Sequence, residues 1–175
     1  MMKIAHRVPG RLTVTTRARL GASPMAVWPL LFSSRMDRAP RCPVFALGTP
    51  RPVECALPDG RGGVGAEREC RAATGVVHQR ITAWNPGEEL AFQMENTDLA
   101  FARCVDGIDE RFTLDSDPAE AIATRLTRTT TVTLRGAFPT AKAAVMYVGL
   151  KAVHRYVFAS WTRQSRALAA GECTP

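Results

Sequence analysis

From Thr140 to Ala170 nothing breaks a helix except Gly149, and Pro139 stands where a first-turn proline opens one. The spacing predicts a long closing helix that runs to about Leu168. At about 100° per residue, Met146, Gly149, Val153, Tyr156, Val157 and Ser160 fall on one side of it, with Lys151, Arg155 and Thr162 on the other. Such a stripe has to be covered. In a chain of 175 residues, about the size of one domain, the only surface large enough is the inner face of a β-sheet.

The preceding sequence supplies that sheet. Residues 12–20 alternate Leu12, Val14, Thr16, Ala18 and Leu20 against polar neighbours, the period-2 pattern of a half-buried strand. Ser23-Pro24 offers an N-cap and a first-turn proline to a helix through Val27, Trp28 and Leu31, which Pro29 should kink or shorten. Residues 39–63 are rich in Pro and Gly and hold only short apolar pieces at 44–47 and 53–57, so a loop and one short edge strand are expected there. Strands follow at 64–72, 76–84, 89–95, 107–114 and 123–134. They are separated by Ala73-Thr74-Gly75, Asn85-Pro86-Gly87, a 96–106 connection and Ser116-Asp117-Pro118. The pattern is an antiparallel meander in a single domain over 1–175, with its core at 12–168 and loose termini.

Strand pairing decides what faces the helix. A hairpin around Pro86-Gly87 sets Gln79 opposite Met94, Ile81 opposite Phe92 and Ala83 opposite Leu90 on one face, with His78, Arg80, Thr82 and Trp84 on the other. Val64, Ala66, Arg68, Cys70 and Ala72 point inward on the preceding strand. In the last pair, Ile108, Glu110, Phe112 and Leu114 meet Thr130, Arg128, Leu126 and Thr124. The inward face therefore carries Arg68, Gln79, Glu110 and Arg128 in a row among apolar side chains.

Burying a charge in a dry core costs several kcal/mol unless it is paired and hydrogen-bonded. Two readings follow. Glu110 and Arg128 form a merely structural pair, or the row lies in a wet or ligand-filled cavity where a few polar groups orient an apolar guest. On the second reading the ligand-binding candidates from the sheet are Arg68, Gln79, Ile81, Phe92, Met94, Glu110, Phe112, Arg128 and Thr130. Those from the helix are Met146, Gly149, Val153, Tyr156, Val157 and Ser160, with Gly149 leaving room where a side chain would stand.

Other chemistry is sparse. No apolar stretch approaches the roughly 20 residues of a membrane span, and MMKIAHRVPGR lacks the apolar region of a secretory signal, so a cytoplasmic protein is expected. Cys42, Cys55, Cys70, Cys104 and Cys173 are odd in number and lack C-x-x-C spacing, which predicts reduced structural thiols without a disulfide framework or zinc cluster. Cys70 and His78 fall on opposite faces, so no metal site is expected. The formal charge of +7 is spread along the chain without a Lys/Arg block, and nucleic-acid binding is not expected. There is no G-x-S-x-G elbow, P-loop or dinucleotide-binding glycine pattern, and Gly63-Val64-Gly65-Ala66 is too short for one. Outward Trp84 beside Ala91 either marks a homodimer patch or is half-covered by its own neighbours.

A cyclase would need an acid or base held in the cavity. His6 lies in the loose N-terminus, His78 points outward and His154 sits at the flank of the helix, which leaves Glu110 as the catalytic candidate. Tyr156 is then a possible hydrogen-bond donor, and Arg68 or Arg128 an anion or carbonyl holder. Arg128 would favour charged Glu110, against acid catalysis.

Taken in order, several pieces resemble the START/polyketide-cyclase superfamily (SRPBCC, helix-grip fold). They are Ser23-Pro24-Met25-Ala26-Val27-Trp28-Pro29-Leu30-Leu31 at the first strand-to-helix junction, Gly63-Val64-Gly65-Ala66, the ITAWNPGEELAF hairpin, and Ala123-Thr124-Arg125-Leu126-Thr127 before the closing helix. The resemblance implies an α+β fold in which a curved antiparallel sheet grips the C-terminal helix, two short helices follow the first strand, and a hydrophobic cavity lies between. Members bind lipids, sterols, polyketides or other apolar molecules, some cyclise or dehydrate polyketides, and others are chaperone activators or oxygenase subunits. Residues 33–52 depart from the family's usual stretch, which often carries a tryptophan near a D-P turn, so the cavity entrance is expected to differ. The expected function is hydrophobic small-molecule binding without a cofactor. The alternatives are a cofactor-independent polyketide cyclase/dehydratase and a chaperone-activator-like interaction module.

Overall fold

The computed structural model describes residues 10–117 and 120–172. His6, Pro118 and Cys173 lie outside them. Strand β1 (Arg11–Leu20) leads into helix α1 (Pro24–Phe32), followed by β2 (Ser34–Arg35), β3 (Pro52–Ala56), β4 (Glu67–Ala72), β5 (Gly75–Asn85), β6 (Glu89–Thr97), β7 (Val105–Asp117), β8 (Glu120–Leu134) and helix α2 (Pro139–Glu172). One antiparallel sheet runs β1-β8-β7-β6-β5-β4-β3-β2 and curls around α2. This is the helix-grip arrangement. The two short helices expected after β1 reduce to α1 and a single 3₁₀ turn at Pro43–Phe45.

Local sequence explains these elements. Ser23 Oγ accepts the Ala26 N–H at 3.3 Å, Pro24 opens α1, and the helix stops at Phe32, where the Ser33 N–H bonds the Pro29 carbonyl at 2.9 Å. The Asn85-Pro86-Gly87 turn is closed by the Glu88 N–H on the Asn85 carbonyl at 3.0 Å, and Gly87 has φ 78°. A β-carbon there would also meet Met25 Sδ at 2.9 Å, so the turn is pinned beneath α1.

Several registers differ from expectation. Gln79–Met94 and Ile81–Phe92 pair as expected, but a bulge between Ile81 and Ala83 sets Ala83 opposite Ala91 and Trp84 opposite Leu90. The bulge turns Trp84 inward, where its ring lies 5.2 Å from Trp28 and 4.9 Å from Phe32. Trp84 is thus half-covered by its own neighbours. Strand β4 begins only at Glu67, and Val64, in the turn before it, is 71% exposed.

Strands β7 and β8 pair two residues away from the expected register, with Glu110 opposite Thr130, Phe112 opposite Arg128 and Leu114 opposite Leu126. A two-residue shift keeps every side chain on its face. The row of polar groups consequently survives it. Cys55 and Cys70 stand opposite each other on β3 and β4 and form a disulfide, contrary to the expected reduced thiols; among the described residues Cys42 and Cys104 are free.

The interior divides into two apolar clusters. One, beneath α1, contains Leu20, Val27, Trp28, Leu31, Ile81, Leu90, Phe92, Phe112, Leu126, Phe158 and Trp161. The other contains Leu12, Val14, Val105, Val132, Leu134 and Ala143, with Met94, Ile108, Met146 and Leu150 packed against it. Between them on the same strands and helix sit Thr16, Arg68, Gln79, Glu110, Arg128, Thr130 and His154. A polar belt separates the two ends.

Candidate functional site

The cavity lies between the sheet and α2 and holds about 580 Å³. Its walls come from β2 to β8, the 47–50 loop and α2; Leu99, Phe101, Ile108, Met94, Met146 and Leu150 supply apolar surface. Polar belt residues Arg68, Gln79, Glu110, Arg128 and Thr130 form part of the lining, with Phe112, Val157 and Trp161 beyond them. Of the remaining candidates, Gly149 and Val153 line it too, whereas Ile81, Phe92, Tyr156 and Ser160 lie outside its wall.

Those four have other work. Ile81 and Phe92 are packed in the cluster beneath α1. The Tyr156 hydroxyl donates to the Arg38 carbonyl at 2.7 Å and its ring meets Phe45, while Ser160 donates to Asp37 at 2.7 Å. Arg163 adds two 2.7 Å bonds to Asp37 and holds its carboxyl well below the usual range. Together they strap residues 37–45 to α2. Beside Gly149, where room was expected, lies Thr49 of the 47–50 loop, whose Oγ1 a β-carbon would meet at an ordinary 3.4 Å.

On α2 the inward line is rotated by about one residue from the expected stripe, to Leu150, His154, Val157 and Trp161. His154, expected at the flank, is therefore 0% exposed. Lys151, expected on the far side, bonds the Thr15 carbonyl and Thr16 Oγ1 on β1. Sequence periodicity could have found His154 had the stripe been centred on Trp161.

The hydrogen-bond chain through the belt can be oriented atom by atom. Arg128 Nε donates to Glu110 Oε1 at 3.0 Å, its Nη2 donates to the same oxygen, and Thr130 Oγ1 donates there at 2.8 Å. The Thr130 hydroxyl is thus spent as a donor, so it accepts from His154 Nε2 at 2.9 Å. Burial first, then Arg128, pushes the His154 pKa down to about 3 against the pull of Glu110. The ring is neutral, Nδ1 is bare, and it accepts the Thr16 hydroxyl at 3.0 Å. Burial alone would raise the Glu110 pKa, but Arg128 and the hydrogen bonds outweigh it and hold it below its ordinary value. Glu110 is an ionised, Arg-bound carboxylate, poorly suited to donate a proton.

Arg68 is placed differently. Its Nη1 donates to Gln79 Oε1 and Cys70 Sγ, and its Nη2 donates at 2.8 Å to the Leu31 carbonyl, one of those left open at the end of α1. The guanidinium lies 4.3 Å over the Phe92 ring and is 3% exposed. Burial pushes its pKa down to about 9, with Glu110 opposing and Arg128 adding to the fall, so it stays charged near neutrality.

Among the described residues, no His/Cys/Asp/Glu group could hold a metal ion, and no helix is long and apolar enough to cross a membrane. No protein-family model matches the sequence, nor does any curated protein. Solved structures do match in shape. Ara h 8.0201 is 12% identical with a TM-score of 0.60, over 90% of this chain and 99% of that one. A START superfamily protein from Mycobacterium smegmatis is 12% identical with a TM-score of 0.57, over 87% and 98%. The Zhui aromatase/cyclase from Streptomyces sp. R1128 is 13% identical with a TM-score of 0.61, over 89% and 94%. At these identities the likeness establishes a shared fold.

Proposed function

We propose that this protein binds a hydrophobic small molecule in the cavity between the sheet and α2. The observation that carries the reading is the space itself: about 580 Å³ with a mainly apolar wall and a few fixed polar groups at one end. Ligand pockets span about 300–1,000 Å³ and have this division of labour. The proposed contacts are Met94, Ile108, Phe112, Met146, Leu150, Val153 and Val157 for the apolar body, with the polar belt orienting it. Shape neighbours described as a START superfamily protein and an aromatase/cyclase are consistent with such a use of the fold. Cys55 and Cys70 also line the cavity, so a reducing compartment would place two thiols in its wall.

Native mass spectrometry of freshly purified protein, followed by organic extraction, tests the reading. A bound apolar molecule of defined mass is expected; an empty protein that takes up no apolar probe contradicts it. A cyclase or dehydratase is the second reading, favoured by a carboxylate, Glu110, that faces the space. It requires Glu110→Gln to abolish turnover of a candidate polyketide in a folded protein, and retained turnover would remove Glu110 from the mechanism.

A further inference from the structure

The charges of the belt do not balance. Arg128 and Glu110 satisfy each other, and His154 is neutral, which leaves the Arg68 guanidinium as the uncompensated charge of the group. No carboxylate of the described residues lies within 4.0 Å of it; its partners are an amide oxygen, a sulfur and a backbone carbonyl. A buried cation held only by dipoles is costly unless something supplies the opposite charge.

A second observation points the same way. Among the described residues, the buried side-chain N and O atoms without a hydrogen-bond partner are Ser34 Oγ, Arg68 Nε and Trp161 Nε1. All three residues line the cavity. Two of these atoms can only donate, and the third can do so. Buried polar atoms are nearly always paired, and Arg68 has both an unpaired Nε–H and no carboxylate, so its missing partner is an acceptor carrying negative charge.

We propose that the occupant of the cavity is an amphipath with a carboxylate head, and that Arg68 is its counter-ion, with the apolar tail directed along Met94, Ile108, Met146 and Leu150. The inference rests on the ligand-binding reading above and narrows it to acidic ligands. Arg128 cannot serve in the same way, since Glu110 already occupies its Nε and Nη2.

Calorimetric titration with dodecanoate, dodecanol and methyl dodecanoate tests this. A charge-assisted hydrogen bond contributes about 1.5–3 kcal/mol, so the wild-type protein should bind dodecanoate roughly ten- to a hundredfold more tightly than either neutral analogue. Arg68→Met should bring the three to parity, and Arg68→Lys, which keeps the charge, should preserve the preference. Arg68→Met strands no carboxylate, and if that variant does not fold the wild-type comparison still decides whether the ligand is acidic. Neutral analogues that bind wild type as tightly as dodecanoate overturn the inference and leave the ligand-binding reading standing. A preference retained in folded Arg68→Met overturns the role of Arg68. Failure of all three to bind overturns the ligand-binding reading and this inference with it.

Discussion

Near the C-terminal end of α2, Trp161 and Phe158 are enclosed by Phe112, Leu126, Leu31 and Trp28; about three turns earlier on the same helix, Met146 and Leu150 face the cavity. The same strands build both ends. Helix α1 makes the difference, because it lays Val27, Trp28, Leu30 and Leu31 over one half of the sheet, while the other half receives only the 47–50 loop and the 3₁₀ turn at 100–104. The polar belt stands at the boundary. Its arginines rest on the packed side, with Arg68 over Phe92 and Arg128 5.3 Å from the Phe112 ring, and both also belong to the wall of the hollow side. The solid end thus serves as the platform on which the charges are held.

The boundary itself should be the most sensitive place. Glu110→Ala leaves Arg128 buried without its carboxylate, and a loss of about 3–5 kcal/mol in denaturant unfolding is expected. Next comes the solid end: Leu31→Ala should cost about 2–5 kcal/mol, since the packed cluster cannot collapse around the lost volume. If Leu31→Ala were no worse than a cavity-wall substitution, the distinction between the ends would fail.

His154 gives a smaller, pH-dependent effect. Its folded pKa, about 3, lies below the unfolded value near 6.5, so the unfolded chain binds the extra proton between these limits. Stability should be full above about 6.5 and fall as pH drops toward about 3. His154→Gln should cost about 1 kcal/mol at pH 7 and flatten that slope, measured as the urea midpoint against pH. An unchanged slope would mean that the ring titrates normally. Ile108→Ala, in the wall of the hollow end, should be mildest at about 1 kcal/mol or less, because its side chain already borders open space.

The hollow end is legible in outline in the sequence. Period-2 alternation placed β1, β5, β6, β7 and β8, and the polar row Arg68, Gln79, Glu110 and Arg128 followed because facing depends only on odd or even position. The two-residue error between β7 and β8 left that parity intact. Features set by longer-range geometry stayed hidden. The disulfide needs the β3–β4 register, which a Pro- and Gly-rich segment does not reveal. Trp84 turns inward only through a one-residue bulge. His154 and Trp161 enter the interior because the buried stripe of α2 is centred on Trp161, and apolar residues on the neighbouring stripe leave that choice open in the sequence.

Nile red, a neutral apolar dye, reports most directly on whether the hollow end is open to a guest. Titrated into wild type and into Met146→Trp, which places an indole in the wall, it should show saturable one-to-one uptake by the former and little by the latter, at similar folding stability. No saturable uptake by wild type, or equal uptake by both, would mean that the space between sheet and helix does not receive ligands.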